Sequence, residues 1–396
     1  MADSIAVVGA ARTPMGGFQG ELAPVEAPAL GAAAIAAALS RAGVDPASVG
    51  EVLMGCVLPA GQGQAPARQA ALGAGLDEAV PCTTVNKMCG SGMKTVMMAH
   101  DALRAGNGGP GTAIVAGGME SMSNAPYLLP KMRAGARLGH AAAVDHMFLD
   151  GLEDAYDKGR LMGTFAEDCA ERYQFTREQQ DDYALASLER ALGAQTDGTA
   201  AAEIAAVEVK GRKGSVTVES DEQPRTARPD KIPQLKPAFR EGGTVTPANA
   251  SSISDGAAAL VLMRADEAAA AGATVQARIL GHASHAQAPG LFTTAPVPAM
   301  QKLLMRIGWS VDDVDLWEIN EAFAVVPMAA MAEMGIPRER LNVRGGACAL
   351  GHPIGASGAR ILVTLLHAME ARGVKRGVAG ICIGGGEATA VALERA

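Results

Sequence analysis

Cys89 is where chemistry could start. Thr83-Thr84-Val85 reads as a strand, Asn86-Lys87-Met88 leads out of it, and Gly90-Ser91-Gly92 follows the cysteine before a helical run from Met93 to Arg104. This order puts Cys89 at the first turn of a helix, where unpaired N–H groups and the positive dipole end favour an anion. A thiol so placed loses its proton more easily and becomes a better nucleophile. Gly90 and Gly92 leave room for a substrate or a second backbone. From this stretch alone two readings stand: a reactive thiol, or a small buried cysteine in a tight joint, a common place for a free cysteine.

Three more segments carry groups suited to the same chemistry. Asn320-Glu321-Ala322-Phe323-Ala324 lies where a strand meets a helix start. The glycine-rich run from Gly345 to Gly358 contains His352. Cys382 ends a buried strand, and Gly384, Gly385 and Gly386 follow it. A Cys–His contact yields an activated thiolate and an imidazolium. A second thiol can act as acid or base, and unobstructed glycine N–H groups can stabilise an oxyanion. Taken singly, His352 reads as a turn residue, Cys382 as a core thiol and Asn320 as a strand-end cap. The other six histidines lack such settings, and Cys56, Cys82, Cys169 and Cys348 read as packing residues. No metal-ligand spacing and no C-x-x-C pair occurs.

A duplication brings these segments together. Arg41-Ala42-Gly43 and the strand ending at Gly55 match Arg306-Ile307-Gly308 and the strand ending at Asn320 at an offset of 265. Ser91-Gly92 matches Ser357-Gly358 at 266, and without a gap Ala113 meets Ala379 and Gly118 meets Gly384. A constant offset across a helix and its next strand marks two related α/β units. Their apolar strands predict mostly parallel or mixed sheets covered by helices. Two equivalent helices about a pseudo-twofold axis would bring Cys89 and His352 together.

The sequence between the units differs. Residues 119–250, a third of the chain, hold nearly half of its charged residues and many turn signals. The pattern predicts an amphipathic helix over Tyr173–Leu192, capped at Thr176, and a hairpin over Val207–Val218. Residues 210–240 carry eight Lys/Arg against four Asp/Glu, a patch that could face phosphates or be an ordinary solvated loop. Over the whole chain the balance is acidic, with a net charge of −8, which argues against general binding to nucleic acid or anionic membranes. No stretch approaches the apolar length of a membrane span. The chain enters its first strand at Ile5, so no signal or transit peptide is expected. Six free thiols in a reducing cytoplasm are expected.

On Ala11-Arg12-Thr13-Pro14, Val85–Gly92, Gly117–Ser123, Asn320–Ala324, Gly345–Arg360 and Cys382–Gly386, the chain resembles the thiolase family along essentially its whole length. The resemblance implies duplicated βαβαβαββ units in a five-layered αβαβα sandwich. The N-terminal unit would span 1–118 plus 251–270 and the C-terminal unit 271–396, with 119–250 an inserted loop domain for coenzyme A binding and tetramerisation. It implies reversible ping-pong chemistry: cleavage of a 3-ketoacyl-CoA, or Claisen condensation of acetyl-CoA with an acyl-CoA. Cys89 would carry the acyl thioester, with His352 holding it as thiolate, and Cys382 would move the α-proton. Asn320, through a water, and His352 would form one oxyanion hole; the N–H groups of Cys89 and Gly384 would form the other. Arg225 would lie by the adenine or its phosphates and Ser251 by the pantetheine, with Met162, Phe239 and Phe323 lining the tunnel. Coenzyme A is then a cosubstrate, with no metal or redox cofactor, and a homotetramer (a dimer of dimers) is expected.

The expected activity is acetyl-CoA C-acetyltransferase, within fatty acid metabolism. Leu161 and Phe292 stand where that group usually has histidine and methionine, and Glu387-Ala388 replaces Gln-Gly. The first two fall near the acyl and pantetheine path, so a broader-chain degradative 3-ketoacyl-CoA thiolase is the alternative. A non-catalytic acyl-CoA or lipid carrier should lack Cys89, His352 or Cys382, and a decarboxylating condensing enzyme would not need Cys382.

Overall fold

The architecture, seen in a computed structural model that describes residues 4–211 and 214–395, follows from central strands buried along nearly their whole length. The N-terminal unit contains β1 (Ile5–Arg12), α1 (Ala27–Ala42), β2 (Val49–Gly55), α2 (Pro66–Gly73), β3 (Cys82–Val85), α3 (Ser91–Arg104) and β4 (Ala113–Ser121). The inserted segment supplies α4 (Met162–Tyr173), α5 (Arg177–Thr196), the hairpin strands β5 (Val207–Gly211) and β6 (Gly214–Val218), and the short α6 (Glu222–Thr226). The chain then returns through β7 (Ser254–Arg264), which pairs antiparallel with both β1 and β4. The C-terminal unit follows as β8 (Ala277–Ala286), α7 (Pro296–Ile307), β9 (Leu316–Ile319), α8 (Val325–Met334), α9 (Ile354–Arg372), β10 (Arg376–Ile383) and β11 (Glu387–Glu394).

The strands run in the order β9-β10-β11-β8-β1-β7-β4-β2-β3. Pairing is mixed, as predicted: β2 lies parallel to β3 and β4, and β9 parallel to β10, while β7 and β11 are antiparallel to their neighbours. Helices α1 and α2 cover one outer face, α7 and α8 the other. Between the two halves of the strand array lie α3 and α9, whose apolar residues share one core with both. The result is the five-layered αβαβα sandwich. In the C-terminal copy the third strand is reduced to one bridge between Trp317 and Leu341.

The duplication is visible in the backbone. Gly43 and Gly308, matched at offset 265, both stop the first helix of their unit in the left-handed conformation, with φ of 63° and 72°. Gly92 and Gly358, matched at 266, are where α3 and α9 cross. A Cβ on Gly358 would come within 2.4 Å of the Met93 nitrogen, and one on Gly92 within 2.9 Å of the Ala359 nitrogen. Only hydrogen fits there, and this lets two helix starts meet.

The insert is fixed to the N-terminal unit by Arg12. Its guanidinium donates to both Asp221 oxygens (2.6 and 2.9 Å) and to Glu203 Oε1 (2.7 Å), all buried. The hairpin lies where predicted, with Val207 paired to Val218 and Gly211 to Gly214; Arg212 and Lys213, part of the basic patch, fall outside the described residues. The helix expected over 173–192 begins later, and it is scarcely amphipathic: its inner face buries Gln180, Asp181 and Ser187 beside Tyr183, Ala184 and Leu188. Tyr173 ends α4, Gln174 turns left-handed at φ 57°, and α5 starts after Thr176. Thr176 caps as predicted: its hydroxyl accepts from the Gln179 N–H (3.2 Å), and the Gln179 side chain accepts from the Thr176 N–H (2.9 Å). Among the described residues no helix is long and apolar enough to cross a membrane.

Candidate active site

Cys89 does not sit inside the first helical turn. Gly90 caps α3 and Ser91 begins it, so the cysteine occupies the bend between β3 and α3. Met88 makes that bend with φ 47°, a left-handed value that a long L side chain rarely adopts. Ser91 secures it: its hydroxyl accepts from the Lys87 N–H (2.8 Å) and donates to the Met88 carbonyl (2.6 Å). The bend holds the Cys89 sulfur against its own N–H and that of Gly384. These contacts favour thiolate, yet burial outweighs them and pushes the thiol up to about 11. The sequence predicted an easily lost proton; instead Cys89 rests as a thiol.

His352 arrives from the other unit. A short helical turn, Ala347–Leu350, ends at Gly351 with φ 99°, and Pro353 caps α9 immediately after the histidine. The tautomer follows from Ser357. That hydroxyl has one proton, which it gives to the Pro353 carbonyl (3.0 Å), so at 2.5 Å it must accept from His352 Nδ1–H. Nε2 then carries the lone pair. Asn320 Nδ2 donates toward it at 3.5 Å, and Asn320 is oriented by Arg360, whose Nη2 donates to Oδ1 at 3.4 Å. Burial, and next the charge of Arg360, bring the imidazole down to about 3. The resting pair is therefore a thiol and a neutral base.

Cys89, His352 and Gly384 share a cavity of about 330 Å³ with Met162, Phe239 and Phe323. Ser251 lines it too, its N–H donating to the Ala322 carbonyl at 2.9 Å. Phe239 stands edge-on to Phe323 with centroids 6.0 Å apart, and Phe292 does the same at 6.4 Å. Leu161 and Phe292, the departures noted in the sequence, are both on the wall. Asn320 and Cys382 lie behind it, fully buried. Burial, and then the nearby Cys89, push the Cys382 thiol well above its ordinary range.

Arg225 is not brought to this cavity. It lines a separate cleft beside the β5–β6 hairpin, donating to Glu21 Oε2 (2.7 Å) and to the Asp221 carbonyl (3.1 Å). Its neighbour Gln223 is tied to the cavity mouth through Ser252, which lines it, and through the Ser254 hydroxyl (2.8 Å).

Two carboxylates were not singled out by the sequence reading although their motifs were. Glu120 accepts from the N–H groups of Val57 (3.0 Å), Leu58 (3.1 Å) and Gly355 (2.8 Å), joining β4 of one unit to the start of α9 in the other. Burial dominates and raises it to about 7. Glu321, next to Asn320, accepts from Tyr183 (3.0 Å), Ser187 (2.7 Å), Asn342 (2.8 Å) and the Cys348 N–H (3.1 Å), so α5 of the insert braces the Asn320 segment.

Two family profiles cover nearly all of the chain: "Thiolase, N-terminal domain" over residues 5–266 and "Thiolase, C-terminal domain" over 273–395. The chain belongs to the thiolase family. Among curated relatives, acetyl-CoA acetyltransferase 2 of Arabidopsis thaliana is 54% identical, spanning 98% of this chain and 96% of its own. Acetyl-CoA acetyltransferase of Escherichia coli (strain K12) is 50% identical, with 98% of each chain aligned. The crystal structure of the Bacillus anthracis acetyl-CoA acetyltransferase superposes with a TM-score of 0.95 at 39% identity, covering 99% of both chains. This thiolase is an acyltransferase, and the cavity holding Cys89 and His352 is its candidate active site.

Proposed function

We propose that this thiolase is an acetyl-CoA C-acetyltransferase that joins two acetyl-CoA into acetoacetyl-CoA and CoA and catalyses the reverse thiolysis. The observation that carries the reading is the meeting of Cys89, neutral His352 and the Gly384 N–H in one apolar cavity. As the Cys89 sulfur attacks the thioester carbonyl, His352 Nε2 takes its proton. The N–H groups of Cys89 and Gly384 receive the developing oxyanion. Collapse expels CoA, which leaves with that proton, and Cys89 is acetylated. A second acetyl-CoA then enters. Cys382 first gives its own proton to His352 Nε2 and, as thiolate, removes a proton from the methyl carbon, while the His352 Nε2–H and Asn320, through a water, hold the enolate oxygen. The carbanion attacks the acetyl-Cys89 carbonyl, and the departing Cys89 thiolate regains its proton from His352 Nε2, while Cys382 keeps the proton taken from the methyl carbon.

A short acyl group suits the wall. The Phe292 ring is held edge-on by Phe165 at 6.2 Å and Phe323 at 6.4 Å, so it is a fixed stop rather than a flexible one. The test is thiolysis of 3-ketoacyl-CoA substrates over a range of chain lengths. A steep fall beyond the four-carbon substrate fits this reading, whereas a flat profile gives the broader 3-ketoacyl-CoA thiolase.

Coenzyme A is cosubstrate in this reading, with no metal or redox group. Its pantetheine passes Ser251, Met162, Phe239 and Phe323, and its adenine end follows α6 to Arg225, which exchanges Glu21 for a phosphate. Removing the Arg225 charge should raise KM for CoA more than it lowers kcat. The division at 118, 250 and 270 goes with this reading: two thiolase units and an inserted coenzyme A domain. Tyr127, Leu129 and Leu138 stay exposed in the first part of that insert, which supports a dimer of dimers assembled there. A cytoplasmic place in fatty acid metabolism completes the proposal.

A further inference from the structure

At the opposite end of α3 from Cys89, three groups able to ligate a metal converge on a surface cleft. Asp101 Oδ1 lies 3.0 Å from His100 Nδ1 and 2.8 Å from His282 Nε2, and all three ligand atoms lie within 4.8 Å of one another. His100 and Asp101 belong to α3 of the N-terminal unit; His282 belongs to β8 of the C-terminal unit, 181 residues away from Asp101. A tetrahedral ion with bonds of about 2.0–2.1 Å holds neighbouring ligands about 3.3 Å apart. The cluster needs to open by a few tenths of an ångström on its two short sides, and the side between the two rings, within 4.8 Å, has to settle at the same spacing. His100 is buried and its ring is set edge-on to that of His282, with centroids 5.1 Å apart. Asp101 is exposed, which leaves a face open for water as a further ligand.

We propose that His100 Nδ1, Asp101 Oδ1 and His282 Nε2 form a binding site for one borderline divalent cation of the Zn²⁺ or Co²⁺ type. Two imidazoles and one carboxylate suit such an ion, whereas Mg²⁺ and Ca²⁺ take oxygen ligands. Each ring binds in the neutral form, with its remaining proton on the other nitrogen: Nε2 of His100 and Nδ1 of His282. The Asp101 oxygen that now accepts from both rings becomes the bridge's third ligand. Arg104 and Arg306 also line the cleft. Arg306 is engaged with the His282 carbonyl at 2.6 Å, and the Asp101 charge offsets part of the repulsion from both arginines. A bound ion would join the helix that presents Cys89 to a strand of the other unit, and so stabilise the contact between the units.

The test uses metal-free full-length protein and Zn²⁺ alone, titrated calorimetrically, with Co²⁺ absorption to report ligand type. Wild type and Cys89→Ser should each bind one equivalent, Co²⁺ should show nitrogen and oxygen ligands, and Zn²⁺ should raise Tm in both. His282→Gln and Asp101→Asn, both at least partly exposed, should weaken binding about tenfold or more and lose the Tm rise. Absence of stoichiometric binding, equal affinity in these two variants, or a thiolate-ligated Co²⁺ spectrum would each overturn the proposal.

Discussion

Two helix starts face each other in this protein, and the same fold gives them opposite work. In the N-terminal copy a strand turns directly into α3, and the left-handed Met88 pushes Cys89 forward. In the C-terminal copy a glycine-rich loop delivers His352 ahead of Pro353. Each helix has a serine at the matched position. Ser91 spends its hydroxyl on the backbone of the bend, whereas Ser357 uses its own to set the imidazole tautomer. The duplication therefore fixes where two groups meet, and divergence of a few residues decides which attacks and which accepts the proton.

The largest effect that sharpens this contrast comes from the nucleophile side. Cys89→Ser should lower kcat by about 10⁴-fold or more, since removing one member of a cooperating set removes most of its effect. The matching change on the acceptor side, Ser357→Ala, should lower kcat about 10- to 100-fold by freeing the ring of His352. It should also shift the pH profile, while Ser91→Ala mainly lowers stability, by about 1–3 kcal/mol for the N–H left without a partner. Equal kinetic losses from the two serine variants would erase the distinction between them.

The protonation states give a third test. With burial holding Cys89 up at about 11 and His352 down at about 3, no thiolate–imidazolium pair stands ready. Alkylation of Cys89 should therefore keep rising with pH through the alkaline range as the thiolate fraction grows. A plateau reached near neutrality would show a preformed ion pair. The smallest effect should come from Lys87, whose ammonium meets Glu387 across the two units. Both are partly exposed, so Lys87→Met should cost no more than about 1 kcal/mol. A larger loss in denaturant titration would mean that this pair, rather than the glycine crossing, holds the two units in register.

Much of this was legible because the offset of 266 carries through an entire helix and strand. It placed Gly92 opposite Gly358, and hence Cys89 near His352, without any contact being known. What it could not convey is conformation that has no residue signature. Met88 in a left-handed bend looks like any methionine, and it moved Cys89 out of the helix. Gln174 broke a helix that polar periodicity carried back to Tyr173. The lowered thiol pKa expected from a helix start was reversed by enclosure, a property of the assembled core. Glu120 and Glu321 were visible as letters within their motifs, but their roles depend on N–H groups from distant segments. Arg225 shows the converse: the position was picked out, and the structure gives it a carboxylate partner outside the cavity.

The division of labour between the two thiols is tested most directly by mixing the Cys382→Ser protein with acetyl-CoA and mapping the acetyl group by peptide mass spectrometry. Cys89 should be acetylated at close to the wild-type rate, with no acetoacetyl-CoA formed. Acetyl on a different residue, or loss of acetylation together with condensation, would contradict that division.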